Sequence, residues 1–280
     1  MKLAILSDIH GNQPALEAVL EDLQREAPDY VVVAGDLVNR GPHNAEVVDM
    51  VRAHPEWRVI QGNHDELVAD WVLGRASENL YNDPAYTPLN WVAEQLGDER
   101  VAYLDQLPFE HVVELPNTAP VLVVHGSPRH NREGLRPSLD DETLATILEG
   151  VEAPVVVGAH THVPMARRVG RWLVLNSGAV GTPFNADPRA QYLLLEWRNE
   201  TWEPRFRQIE YDRQPVLEAF ERTGYLDKGF IVHIFRYEFL TARSHLYYYD
   251  FWCRERGLPM NMESWQQYVA EWEARQIAAS

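Results

Sequence analysis

Apolar and polar residues alternate along the first sixty positions in a way that predicts both strands and helices. Short apolar runs, typical of buried strands, cover residues 3–6, 30–34 and 58–61. Between them, apolar residues recur at every third or fourth position after Asn12 and over residues 44–52, which predicts two helices. Asn12 is a suitable N-cap for the first helix. The resulting βαβαβ order predicts right-handed crossovers and a parallel sheet.

The same patterns predict more strands in the second half of the chain. They cover residues 121–124, 154–157, 172–175, 192–197 and 204–209. A helix is predicted after Asp140 or Asp141. Residues 66–100 are polar and helical in character, and they directly follow a segment rich in candidate site residues. They either overhang that site or form a peripheral helical pair.

The composition changes beyond about residue 212, where aromatic residues recur at helical spacing. Trp265, Tyr268 and Trp272 lie on one face of a predicted helix that follows Asn261. Such a stripe indicates either core packing or an oligomer interface. We therefore expect an α/β domain over residues 1–211, with the insertion 66–100 near the site. A helical C-terminal extension over residues 212–280 would pack on the core or form a homo-oligomer interface.

Composition narrows the function classes. The chain has 280 residues, of which 45% are apolar, and a formal net charge of −17. An acidic surface repels nucleic acid and anionic membranes, so no extended nucleic-acid binding is expected, whereas bound cations would still admit a phosphate substrate. No apolar run approaches a membrane span, and no signal sequence precedes the first strand. The single cysteine, Cys253, is typical of a cytoplasmic protein.

Metal-ligating residue types follow five of the predicted strands. They are Asp8, His10, Asp36, Asn63, His64, His125, His160 and His162. Because residues i and i+2 of an extended chain point the same way, we expect Asp8 and His10 to reach one ion. Each residue alone has a structural explanation; Asp36 could cap a turn and His125 could lie in the core. The carboxyl ends of strands in an open sheet form the ligand crevice, however, so the set predicts one site.

The chemistry of this set suits transition metals. Oxygen and imidazole ligands without thiolate fit Mn, Fe, Co, Ni or Zn. About seven ligands exceed the needs of one such ion and suffice for two if one carboxylate bridges them. Two metals roughly 3.5–4 Å apart are typical of phosphoester hydrolases, in which they ionise a water and neutralise phosphoryl oxygens.

The series resembles the calcineurin-like metallophosphoesterase superfamily over about residues 1–210. The resemblance rests on Asp8-x-His10, Gly35-Asp36, Gly62-Asn63-His64-Asp65, His125 and His160-x-His162. Residues 124–129 and 176–181 further resemble its compact bacterial and archaeal branch, which includes small phosphodiesterases and relatives of diadenosine tetraphosphate hydrolases. This implies a four-layer α-β-β-α fold, with two mixed sheets packed face to face and helices outside.

The resemblance also implies roles for individual residues. One metal would be held by Asp8, His10, Asp36 and His162, and the other by Asp36, Asn63, His125 and His160. Asp36 would bridge the two metals. His64 would be no ligand; it would contact the phosphate and protonate the leaving oxygen.

Several charged residues near the motifs are candidates for further roles. Arg40 is a candidate phosphate clamp, since guanidinium matches two phosphate oxygens at once. Arg129 and Arg132 are weaker candidates for substrate binding, with solvated surface charge as the alternative. Asp65 either orients His64 or caps the following helix, and we favour the cap.

Two positions depart from the superfamily pattern. Ala159 is inserted between the usual glycine and the histidine pair. Asn39 stands where phosphoprotein phosphatases and symmetrical dinucleoside tetraphosphatases have an aspartate that pairs with the histidine equivalent to His64. A neutral amide does not raise the pKa of an imidazole as a carboxylate would. We therefore expect a bias towards esters or anhydrides whose leaving groups need little protonation.

The sequence thus predicts a binuclear metallohydrolase that cleaves a phosphodiester or phosphoanhydride by in-line attack of a metal-bridging hydroxide. The expected partner is a small phosphorylated substrate, with diadenosine polyphosphates, other nucleotides and small phosphodiesters as candidates. Mn and Fe are the first candidates for the metals, and Ni, Co and Zn are alternatives. The alternative functions are a broad phosphomonoesterase or protein phosphatase and, in another class, a non-catalytic scaffold with the same fold.

Overall fold

The computed structural model describes residues 1–279. Within them, two five-stranded sheets form the centre of the molecule. The strands are β1 (Lys2–Leu6), β2 (Tyr30–Val33), β3 (Arg58–Val59), β4 (Glu110–Val113), β5 (Val121–Val124), β6 (Val155–Gly158), β7 (Met165–Val169), β8 (Trp172–Asn176), β9 (Ala190–Arg198) and β10 (Thr201–Ile209). The first sheet has the order β10-β9-β1-β2-β3, and the second has the order β4-β5-β6-β8-β7.

Both sheets are mixed. In the first sheet β1, β2 and β3 are parallel, β9 runs antiparallel to β1, and β10 pairs antiparallel with β9 as the second strand of a long hairpin. In the second sheet β5, β6 and β8 are parallel, with β4 and β7 added antiparallel at the two edges. The prediction of two mixed sheets is confirmed. The edge strands β4 and β7 were absent from the sequence prediction, because their partly exposed residues show no clear apolar run.

The central parallel strands β1 and β5 are buried on both faces. Leu3 and Ile5 of β1 pack between the two sheets, whereas Ala4 and Leu6 pack against the helices outside the first sheet. Residues of β5 alternate in the same way between the inter-sheet core and the helix that covers the second sheet. Since side chains alternate along a strand, this pattern places the sheets face to face and the helices outside, as the four-layer prediction requires.

The helices follow the predicted apolar spacing. They are α1 (Gln13–Glu26), α2 (Asn44–Arg52), α3 (Asn63–Val72), α4 (Glu78–Asn82), α5 (Pro88–Asp105), α6 (Asp141–Ile147), α7 (Gln214–Arg222), α8 (Phe230–Thr241), α9 (His245–Arg256) and α10 (Met262–Ala279). Asn12 caps α1 and accepts a hydrogen bond from the Ala15 amide, and Asp140 caps α6 in the same way. No helix in the described part of the chain is long and apolar enough to cross a membrane.

The C-terminal extension has two different packing environments. Phe220, Tyr225 and Phe235, from α7, α8 and the turn between them, belong to the same core cluster as the outer face of the first sheet. The aromatic residues of α9 and α10 form a separate cluster with Trp252, Trp265 and others. Trp265 and Tyr268 are buried there, which agrees with core packing for part of the predicted stripe. A homo-oligomer through these helices stays a prediction.

Candidate metal centre and substrate cavity

The turns that follow the strands have an unusual backbone conformation. Five of the seven predicted ligands lie in the left-handed region, where non-glycine residues are rare. They are Asp8, His10, Asp36, His160 and His162, with φ between 49° and 62°. Strand β1 already ends at Leu6. The expectation that Asp8 and His10 alternate along an extended strand was therefore wrong, although both do reach the same place.

Asp65 fixes the turn that carries Asp36. Its carboxylate accepts hydrogen bonds from the backbone amides of Asp36 at 2.8 Å, Leu37 at 2.9 Å and Gly62 at 2.9 Å. The bond from Gly62 caps α3, as favoured from the sequence. The other two join loops almost thirty residues apart, a role that no local pattern indicated. A Cβ on Gly62 would lie 2.2 Å from Asp36, so only glycine permits this approach.

The first group of ligand-type atoms is fully buried. Asp8, His10, Asp36 and His162 each offer an atom, and these atoms lie within 4.8 Å of one another. The Nε2 atom of His162 is 3.3 Å from Asp8 Oδ1, and the Nε2 atom of His10 is 3.4 Å from Asp36 Oδ2. These residues could hold one metal ion.

A second group shares Asp36 with the first. Asn63 Oδ1 lies 2.9 Å from His125 Nε2 and 2.8 Å from His160 Nδ1. Asp36 Oδ2 lies 3.3 Å from His125 Nε2, in addition to its 3.4 Å approach to His10. One carboxylate oxygen is thus close to both groups, and the structure brings all seven predicted ligands together.

Backbone carbonyls set the tautomer of three histidines. The Nδ1 atom of His10 is 3.2 Å from the carbonyl of Val38, and that of His125 is 2.8 Å from the carbonyl of Ala34. His162 makes the equivalent bond to the carbonyl of Thr182. A carbonyl only accepts, so each Nδ1 carries the proton and each Nε2 turns its lone pair towards the site. This arrangement is typical of metal-binding histidines.

The buried atoms of the site fit metal binding. Asp8 Oδ1 and Asp36 Oδ2 are buried and have no hydrogen-bond partner among the described residues. Burial raises the pKa of Asp8 to about 7, and it lowers the pKa of His160 to about 4. Burial also lowers the pKa of His125, but the adjacent Asp36 more than offsets this and raises it to about 9. A cation would neutralise the unpaired carboxylate oxygens and favour the deprotonated imidazoles.

His64 lies beside this centre but belongs to neither group of ligand atoms. Its Nδ1 atom is 2.9 Å from Asn39 Nδ2, and its backbone amide donates to Asp36 Oδ1 at 2.7 Å. Asn39 Oδ1 accepts from the Arg40 amide, so the amide nitrogen of Asn39 is the group that faces His64. A donor at that position makes Nδ1 an acceptor and leaves the proton of a neutral His64 on Nε2. Burial lowers the pKa of His64 to about 3.

A cavity of about 860 Å³ extends from the centre to the C-terminal helices. At one end it is lined by Asp36, His64, His160 and His162, and at the other by residues of α9 and α10. Arg40, the candidate phosphate clamp, lines the cavity. Its guanidinium, however, contacts the carboxylate of Glu238 in α8 at 2.6 Å and lies over the rings of Phe184 and Phe235.

Other predicted elements lie away from the cavity. Arg129 forms an ion pair with Glu133, and Arg132 forms one with Glu66 at 2.7 Å. Both pairs lie on the surface, and neither arginine lines the cavity. No residue of the predicted insertion 66–100 lines it either. Four arginines without any recognisable motif line it instead, and the sequence reasoning missed them. They are Arg136, Arg243, Arg256 and Arg275.

Comparison with known proteins agrees with this geometry. The calcineurin-like phosphoesterase superfamily domain matches residues 1–200. Phosphodiesterase YfcE of Escherichia coli is 27% identical over 198 residues, which cover 70% of this chain and 88% of that protein. The symmetrical bis(5'-nucleosyl)-tetraphosphatase of Yersinia pestis is 31% identical over 156 residues, 55% of this chain and 49% of that protein. A metallophosphoesterase crystal structure from Sphaerobacter thermophilus gives a TM-score of 0.69 at 28% identity and covers 86% of this chain and 99% of that one.

The family match contains the turns that carry all seven predicted ligands and His64. Metallophosphoesterases use divalent metals, and the buried cluster of Asp8, His10, Asp36 and His162 could hold one. The two mixed sheets are also those of the family's fold. The chain therefore belongs to the calcineurin-like phosphoesterase superfamily and is a hydrolase that acts on phosphoester bonds.

Proposed function

We propose that this protein is a binuclear metal-dependent phosphoesterase that hydrolyses phosphodiester or phosphoanhydride bonds. The observation that carries the proposal is the position of Asp36 Oδ2, about equally far from His10 Nε2 at 3.4 Å and His125 Nε2 at 3.3 Å. A single unpaired carboxylate oxygen between two groups of ligand-type side chains suits a bridge between two cations. If Asp36 only formed a structural ion pair, one of the two histidines, His10 or His125, would be enough.

Each residue then has a defined task. Asp8, His10 and His162 complete one position, and Asn63, His125 and His160 complete the other, with Asp36 common to both. When bound, the two cations, Mn or Fe first among the candidates, would supply an ionised water and neutralise charge on the phosphoryl oxygens. His64 binds the phosphate through Nε2, since Asn39 occupies Nδ1, and assists departure of the leaving oxygen.

The substrate class follows from the cavity and the relatives. A volume of about 860 Å³ suits a small molecule of nucleotide size. YfcE is named a phosphodiesterase, and the Yersinia relative is named a tetraphosphatase of dinucleosides. We infer that small phosphodiesters and dinucleoside polyphosphates are the substrates to test first. The neutral Asn39 beside His64 favours ester and anhydride bonds whose leaving groups need little protonation.

A substrate panel on metal-reconstituted protein tests the proposal. The full chain is stripped of metal, reconstituted with Mn²⁺ and assayed with diadenosine tetraphosphate, ATP, a cyclic nucleotide, bis(4-nitrophenyl) phosphate and a phosphopeptide. We expect two metals per chain by elemental analysis and the fastest turnover on the anhydrides or the aryl diester. A preference for the phosphopeptide would favour a protein phosphatase. Metal binding without turnover of any compound would favour a scaffold and contradict the proposal.

A further inference from the structure

The wall of the cavity opposite the ligand-bearing turns is built by α9. Tyr247, Tyr248 and Phe251 line the cavity and expose 68%, 60% and 57% of their surface. Tyr247 and Phe251 are four residues apart and therefore share one face of the helix. Other aromatic residues of α9, such as Tyr249 and Trp252, are buried in the cluster with α10. The helix thus buries one set of rings and presents a second set to the cavity.

The same cavity contains a concentration of positive charge that the chain as a whole lacks. The protein has a net charge of −17, yet five arginines line the cavity and no lysine does. Three of these arginines have carboxylate partners: Arg40 pairs with Glu238, and Arg256 and Arg275 both approach Glu271. A cavity that concentrates arginine in an acidic protein focuses its field on an anionic ligand.

The other two arginines lining the cavity are Arg136 and Arg243. Within the described residues, neither guanidinium has an ion pair or a hydrogen bond to any other group. Arg136 lies at the end nearest the metal centre, because a Cβ built on Gly134 would lie 3.4 Å from both Arg136 Nη2 and His160 Cδ2. Arg243 comes immediately before Ser244, the N-cap residue of the helix α9 that carries the exposed rings. Unpaired guanidiniums beside exposed aromatic rings are typical of a nucleotide-binding surface. A guanidinium can form charge-assisted hydrogen bonds with a phosphate, and a ring can stack on a base.

We propose that Arg136, Arg243 and the exposed face of α9 form a subsite for the part of the substrate remote from the scissile bond. The subsite holds a further phosphate against the two guanidiniums and an aromatic base against Tyr247 and Phe251. Apart from Arg136, its residues belong to the C-terminal extension, outside the matched family region at residues 1–200. The proposal rests on the proposed phosphoesterase function and names the substrate as a nucleoside polyphosphate.

Charge favours this occupant over a second copy of the chain. A dimer formed through Tyr247, Tyr248 and Phe251 would bring two identical arginine-lined cavities together. The carboxylates of Glu255 and Glu271 in the lining already pair with Arg256 and Arg275, so the dimer would enclose Arg243 without an unpaired anionic partner, which is costly. A polyphosphate supplies the missing negative charge directly.

The phosphate part of the proposal is tested with Arg243→Ala. Arg254→Ala is the matched control, since Arg254 lies on α9, has a 78% exposed side chain, pairs with Asp250 and does not line the cavity. We expect Arg243→Ala to raise KM for diadenosine tetraphosphate about tenfold, the loss of one charge-assisted contact. The rise for bis(4-nitrophenyl) phosphate, which has no further phosphate, should be smaller. Equal rises for both compounds, or the same rise in Arg254→Ala, would overturn the proposal.

The ring part is tested with Phe251→Ala and a pair of ligands that differ only in the nucleoside. ATP and inorganic tripolyphosphate are titrated into the full chain by calorimetry, which needs no turnover. Loss of affinity for ATP with unchanged affinity for tripolyphosphate supports stacking on α9. If Phe251→Ala binds both ligands like the wild type but converts a dimer to a monomer in light scattering, α9 is an oligomer interface and the subsite is wrong.

These readouts separate the two proposals. Failure of the wild type to hydrolyse any phosphoester would contradict the proposed function. ATP binding that Arg243→Ala weakens and Arg254→Ala does not would still support the subsite. Turnover of both substrates with no difference between the two arginine variants would contradict the subsite alone.

Discussion

The two walls of the cavity are built in different ways. The ligand-bearing turns are buried, have left-handed backbone and are fixed by backbone hydrogen bonds such as those to Asp65. The α9 wall presents exposed side chains, and its support is a local cluster of aromatic residues. Rigid turns suit chemistry that tolerates little displacement, whereas an exposed helix face can change without disturbing the ligands. We infer from this contrast that the ligand-bearing turns carry out the reaction and that the α9 wall selects the substrate.

Deletion of residues 212–280 should have the largest effect, because the extension is not uniform. Phe220 and Tyr225 are fully buried in the core shared with the first sheet, and Phe235 is nearly so. Each buried aromatic side chain contributes about 2–3 kcal/mol, and a domain has only about 5–15 kcal/mol in total. We expect the truncated chain to show no cooperative thermal unfolding by circular dichroism.

A shorter truncation is the control for this comparison. A chain that ends at Arg256 loses α10 but keeps α7, α8 and their contacts with the core. It should unfold cooperatively at a reduced temperature. A folded, active protein lacking all of residues 212–280 would instead show that the extension is peripheral and would weaken the contrast between its two parts.

Asp36→Ala should abolish both metal binding and catalysis by the ligand-bearing turns. If Asp36 is the bridge, its loss affects both metal positions at once. We expect metal content to fall from two ions per chain to none in elemental analysis, and turnover to fall by more than about 100-fold, since even indirect changes near a metal cost 10–100-fold. Asn63→Ala is the matched control, because Asn63 contacts only the second group. One fully occupied ion in Asp36→Ala would contradict the bridging role.

The sequence predicted the turns but not their geometry. Motif residues after β1, β2, β3, β5 and β6 identified the site, because the carboxyl ends of parallel strands meet at one edge. The left-handed backbone at Asp8 and Asp36 was not foreseeable, since it depends on hydrogen bonds between distant loops. The second sheet came from the family resemblance, and its edge strands have weak apolar patterns. The strands themselves were predictable because their buried residues form continuous apolar runs.

The α9 wall could not be predicted from the sequence. The aromatic periodicity correctly indicated buried rings such as Trp265, but it did not distinguish them from the exposed Tyr247 and Phe251. Arginines carry no periodic or motif signal, so proximity to His125 in sequence favoured Arg129 as a substrate-binding residue. The structure pairs Arg129 with Glu133 and places Arg136 at the cavity instead. Side-chain roles outside motifs are set by tertiary contacts.

His64→Ala should lower catalysis by the ligand-bearing turns without changing their metal binding. His64 belongs to neither group of ligand atoms, so the variant should keep two metals per chain. Loss of a group that binds phosphate and assists the leaving oxygen typically lowers kcat by about 10²–10⁴. Both quantities are measured on the same preparation, by elemental analysis and by hydrolysis of an aryl diester. A variant that loses metal would make His64 a ligand and would merge the two functions.

Asn39→Asp should have a smaller effect that bears on the choice of leaving group. The Asn39 amide now donates to His64 Nδ1 at 2.9 Å, and burial lowers the pKa of His64 to about 3, so His64 is neutral at pH 7. A carboxylate at that position would accept from Nδ1 and raise the pKa, so the protonated fraction at a given pH increases by about tenfold per unit. We expect the alkaline limb of the pH profile to move to higher pH and the rate on an alkyl ester to rise relative to a 4-nitrophenyl ester. Asn39→Ala removes the contact without adding charge and should leave that ratio unchanged; an unchanged ratio in Asn39→Asp as well would show that Asn39 does not select the leaving group.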